Sequence, residues 1–148
     1  MTAARTRPLG RRRAAGKPGV DQALVTLFIG AMEANDRTTV DEAERAQQLI
    51  WSTRRFRARS GDAVGKLIEE TRRLVAAGDP GILMERAARA IPQGLRRPAF
   101  AVLADLLLAD GRLDRRERAF LLRIGTTMAL RPDQVKGILE TIQVKNQL

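Results

Sequence analysis

Ala-Asp-Gly-Arg-Leu-Asp-Arg-Arg-Glu-Arg-Ala, residues 109–119, sets the architecture of this chain. An apolar run ending at Leu107 and Leu108 precedes it, and Leu121, Ile124 and Met128 come after it at helical spacing. The stretch is an elbow between two helices. Gly111 stops the first, and Asp114 caps the second with Glu117 three residues on, the pattern of a capping box. An earlier segment repeats the arrangement. Ala34–Ala46 reads Ala-Asn-Asp-Arg-Thr-Thr-Val-Asp-Glu-Ala-Glu-Arg-Ala, with a turn two residues longer and the same closing D-x-x-E-R-A block. Each elbow carries three carboxylates in the same order, Asp36, Asp41 and Glu44 in the first and Asp110, Asp114 and Glu117 in the second, and the first adds Glu42.

Working outward from the elbows, apolar residues recur with a helical period and nothing alternates with a strand period for long. A first helix is expected near 20–35, with Leu24, Leu27, Phe28 and Met32 on one stripe. A second starts after Val40 and runs to about Trp51, and a third near 62–76 carries Val64, Leu67, Ile68, Thr71, Leu74 and Val75. Asp79-Pro80 supplies the N-cap and first-turn proline of a fourth, with Ile82, Leu83, Ala87, Ala90 and Ile91 inward. A fifth is expected from about 97 to 110, a sixth behind Asp114, and a seventh from Pro132 with Val135, Ile138, Leu139 and Ile142 inward. The expectation is an all-α, compact single domain of about seven short helices containing two pseudo-repeated helical hairpins. Lys145–Leu148 are expected to fray.

Composition narrows the chemistry. The 148 residues fit one domain, 44% of them are hydrophobic, and the formal net charge is +10. There is no His, Cys or Tyr. Thiol and imidazole nucleophiles, the usual general base and the nitrogen and sulfur ligands of zinc, copper and iron are therefore excluded. A metal held by side chains would need hard oxygen ligands, hence calcium, magnesium or manganese. No Ser or Thr has a His partner, and no Gly-rich phosphate loop is present. A carboxylate-only, metal-assisted hydrolase is the one catalytic option left, and the expectation is a protein that is not an enzyme.

Residues 1–19 stand apart. Arg5, Arg7, Arg11, Arg12, Arg13 and Lys17 supply +6 of the net charge with no acid among them, leaving +4 on residues 20–148. Interleaved Gly, Pro and Ala predict a disordered basic N-terminal arm, ahead of one helical domain over 20–148. Export by a twin-arginine signal is not expected, because Asp21 and Glu33 bracket the next apolar stretch. The expected location is the cytoplasm, including the inner face of the membrane.

The second elbow and the segment after it also carry a resemblance. Leu107–Leu121, L-L-A-D-G-R-L-D-R-R-E-R-A-F-L, with Ala129–Ile142, A-L-R-P-D-Q-V-K-G-I-L-E-T-I, is similar to the TerB-like tellurite-resistance family. That family includes a helical domain of the co-chaperone DjlA. In the first elbow Asn35-Asp36-Arg37 stands where the family has A-D-G. The resemblance spans roughly residues 20–145 and implies an all-helical fold of about seven helices. It also implies a bacterial stress-associated protein, linked in part of the family to tellurite resistance, with a metal site at the paired acids.

Two readings of the acids stand side by side. Asp41, Glu44, Asp114 and Glu117 are accounted for by capping and the helix dipole, at about 0.5–2 and about 0.3–1 kcal/mol. Asp36 and Asp110 come after the C-terminal end of a helix, where the same dipole disfavours an anion. If the hairpins pack together, Asp36, Glu44, Asp110 and Glu117 converge on one oxygen-ligand site for a divalent cation. Alternatively Arg37, Arg45, Arg112, Arg115, Arg116 and Arg118 neutralise them as ordinary ion pairs. The turns are too short for EF-hand loops.

A further constellation is Trp51-Ser52-Thr53-Arg54-Arg55-Phe56-Arg57-Ala58-Arg59. With Arg11, Arg12 and Arg13 of the arm, Arg54, Arg55, Arg57 and Arg59 form a candidate surface for nucleic acid or an anionic membrane. Equally, Trp51 and Phe56 are core or half-buried with a solvated arginine rim. The expected role is a binding or scaffold module with a protein partner. The competing class is a nucleic-acid or anionic-membrane binder.

Overall fold

The computed structural model describes residues 18–33, 40–108 and 113–148; at residues 40–43 it describes the backbone without the side chains. The expected basic arm up to residue 17 therefore lies outside the described residues. All regular structure among them is helical: α1 (Val20–Glu33), α2 (Val40–Ser52), α3 (Arg54–Arg57), α4 (Gly61–Ala77), α5 (Pro80–Ala90), α6 (Gln93–Leu107), α7 (Arg115–Thr127) and α8 (Pro132–Lys145). The all-α expectation holds, with one short helix more than periodicity suggested. That extra helix, α3, is a single turn begun by Thr53, too short to show a period.

α1 is the centre of the fold. It packs on α2, α4, α5 and α6, and every residue from Ala23 to Met32 is buried. Expecting a single inward stripe underestimated this helix. Its sequence, A-L-V-T-L-F-I-G-A-M, is apolar on all sides, which is the mark of a helix enclosed by others. Gly30 lets α5 approach closely, since a Cβ there would lie 2.6 Å from Met84 Cγ.

The outer helices each bury one face. α4 buries Val64, Ile68, Thr71 and Val75, and the Thr71 hydroxyl donates to the Leu67 carbonyl at 2.7 Å. Leu74, expected inward, is instead 48% exposed, one position off that stripe. α5 buries Met84, Ala87, Ala88 and, just past its end, Ile91, which leaves Ile82 59% exposed. The phase of α5 is set by Met84 meeting α1, a contact that spacing within α5 does not reveal. Asp79 caps α5 as expected, accepting from the Gly81 and Ile82 amides at 2.9 and 3.3 Å.

α6 begins at Gln93, earlier than expected. Gly94 falls in its first turn, where backbone amides have no intrahelical acceptor and glycine does little harm. From this helix Arg96 reaches back, donating to the Ile91 carbonyl at 2.9 Å and to the Met128 carbonyl at 3.0 Å. These residues are the C-caps of α5 and α7. α7 ends in a Schellman motif: Leu130 N–H donates to Gly125 and Ala129 N–H to Thr126, with Ala129 at φ 57°.

Candidate functional site

At the second elbow the described residues begin again at Leu113. Asp114 is the N-cap of α7, its carboxylate accepting from the Glu117 amide at 2.8 Å. Glu117 sits in the first turn, half-buried. At the first elbow α1 ends at Glu33 and α2 starts at Val40, with Glu44 exposed one turn in. Asp36 and Asp110 lie outside the described residues, as does the Asp41 side chain. Of the four acids expected to converge, Glu44 and Glu117 are thus described. Among the described residues no group of three or more His, Cys, Asp or Glu is placed to hold a metal.

Beside the second elbow, α2, α6 and α8 enclose a surface cleft of about 350 Å³. It is lined by Arg45, Gln48 and Ser52 from α2, Asp105 and Leu106 from the last turn of α6, and Lys145 and Asn146 from the end of α8. Lys145 Nζ lies 2.7 Å from both carboxylate oxygens of Asp105. Asn146 Nδ2 donates to the Leu108 carbonyl at 3.0 Å. Against the expected fraying, these two residues are tied to the end of α6, while Leu148 is wholly exposed. Asp105 shows the same dipole conflict argued for Asp110, an acid in the last turn of a helix, and here the offsetting cation is a lysine. Sequence reasoning missed this pair because its members are 40 residues apart.

The arginine strip divides. Arg55 Nε donates to Asp21 Oδ1, and Arg59 Nη2 lies 2.8 Å from Asp21 Oδ2. Asp21 is in the first turn of α1, so its carboxylate faces the positive end of that helix and two guanidinium groups at once. Arg54 and Arg57 are exposed and enter no ion pair among the described residues. Phe56 is buried, and Trp51 is 39% exposed beside Gly61. Phe56 is thus a core residue while Trp51 stays exposed, and two of the four arginines of the strip are paired with Asp21 at the surface. Arg11, Arg12 and Arg13 lie outside the described residues.

A family model described as Tellurite resistance protein TerB matches residues 21–140, spanning both elbows and reaching from α1 into α8. The chain belongs to the TerB family. In this TerB domain the elbows are the joints α1–α2 and α6–α7, each carrying one copy of the D-x-x-E-R-A block. Comparison with the curated proteins and with the solved structures finds no significant match. No helix among the described residues is long and apolar enough to cross a membrane.

Proposed function

We propose that this TerB protein is a non-enzymatic binding and scaffold module that takes a divalent cation at its two elbows. Asp36 and Glu44 would supply oxygens from the first and Asp110 and Glu117 from the second. The observation that carries this reading is the repetition itself. Twice, an aspartate placed just beyond a helix is followed, seven or eight positions on, by a glutamate near the start of the next helix. The donor set is oxygen alone, which fits calcium, magnesium or manganese and no softer metal. The absence of His, Cys and a phosphate loop from the sequence supports a role in binding rather than catalysis. Membership of a family described by tellurite resistance supports a role in a bacterial stress response; a cytoplasmic location, including the inner face of the membrane, and a protein partner are part of the same proposal.

The test is a thermal melt of the purified protein with calcium, magnesium or manganese at up to millimolar concentration. A cation that binds the folded state raises the midpoint, by about 2.7 kcal/mol of stability at a hundredfold excess over Kd. Asp110→Asn with Glu117→Gln removes the rise. An unchanged midpoint with all three cations ends the proposal.

A further inference from the structure

A second concave surface flanks the buried face of α7, and it is independent of the cation reading. α8 packs chiefly on α6 and more lightly on α7, and the gap left between α7 and α8 is a groove of about 390 Å³. Its apolar lining comes from Leu122 on α7, Leu130 in the connecting turn, and Val135 and Leu139 on α8. Leu122 is 47% exposed, although it is a large aliphatic side chain in the middle of a helix. Along α8 the groove runs from Pro132 to Gln143, a rise of about 16 Å, or three helical turns. That is the footprint of one short amphipathic helix.

Charge decides the occupant. Arg118 flanks the groove from the α7 side and Lys136 from the α8 side. Glu140, the one acid in the lining, is drawn to Lys136 at 3.9 Å. α7 as a whole carries four arginines against Glu117, and Arg118 enters no ion pair among the described residues. The basic segment 1–17 of this chain would meet like charge there. A second copy would bring the same mixed lining, with Glu140 as its single acid, and so offers fewer carboxylates than an acidic helix does. A concave trough three turns long matches a helix ridge better than a flat bilayer. We infer that the α7–α8 groove docks an acidic amphipathic helix of a partner protein, its leucine-type face on Leu122 and Leu139 and its carboxylates on Arg118 and Lys136.

Two labelled synthetic helices, alike in a leucine stripe and carrying glutamate or lysine on the flanks, test this by fluorescence anisotropy with the full chain. The glutamate peptide binds at least tenfold more tightly than the lysine peptide. Leu122→Asp lowers that affinity at least tenfold, and Arg118→Glu weakens the glutamate peptide while strengthening the lysine peptide. Val144→Asp, which changes an exposed apolar residue outside the groove lining, leaves both affinities unchanged. A melting curve checks that each variant is folded. No binding by either peptide, equal affinities for the two, or indifference to Leu122→Asp overturns the inference. Binding to phosphatidylglycerol vesicles without binding to the glutamate peptide overturns it in favour of a membrane face.

Discussion

The two copies of D-x-x-E-R-A are alike in sequence and unlike in setting. Ala46 in α2 is buried, whereas its counterpart Ala119 in α7 is exposed. Ile50 is fully buried, and the matching position holds the exposed Arg123. The relation reverses one residue on, where Trp51 is 39% exposed and Ile124 is buried. Glu44 is exposed and Glu117 half-buried. The two helices thus turn different faces to the interior. What repeats is the D-x-x-E-R-A block itself; its position on the helix shifts, because Asp114 is the N-cap just before α7 whereas α2 already begins at Val40, ahead of Asp41. What does not repeat is the packing, which depends on the neighbours: α2 rests on α1, and α7 on α5, α6 and α8.

Exchanging residues between matched positions is the sharpest way to break this comparison. Ile50→Arg places an unpaired charge in the core and should cost about 4 kcal/mol or more, while Arg123→Ile should change stability by no more than about 0.5 kcal/mol. Urea denaturation reads both, and similar losses for the two would show that the copies pack alike after all. Next in size, Ala46→Leu overpacks a closed site at about 1–3 kcal/mol, and Ala119→Leu is neutral within about 0.5 kcal/mol. The smallest effect concerns what the copies share. Asp114→Ala removes the bond to the Glu117 amide and should cost about 1 kcal/mol. Asp41→Ala should match it if the cap is truly duplicated; a markedly smaller loss there would confine the cap to the second elbow.

Helix content and order were legible because most of the helices are long, amphipathic and punctuated by Gly78, Asp79-Pro80, Pro92 and Pro132. The errors came where a neighbour, not the helix itself, decides the outcome. Met84 is inside and Ile82 outside because α5 is phased by its contact at Gly30. Lys145 holds Asp105 and Asp21 holds Arg55 and Arg59, pairings across long stretches of chain that leave no local pattern. Of the candidate site, the Asp114 cap was readable in advance because its partner is three residues away. Which side chains meet across the two elbows is a tertiary matter that a one-dimensional motif does not encode.

Arg96 has a consequence for motion. One guanidinium serves the closing carbonyls of two separate helices, Ile91 at the end of α5 and Met128 at the end of α7. The two bonds come from different N–H groups, Nε to Ile91 and Nη1 to Met128, so a single side chain ties the two helix ends to each other. Loss of that one side chain would loosen the last turns of both α5 and α7, and amide protons in these distant parts of the sequence would then exchange with solvent faster.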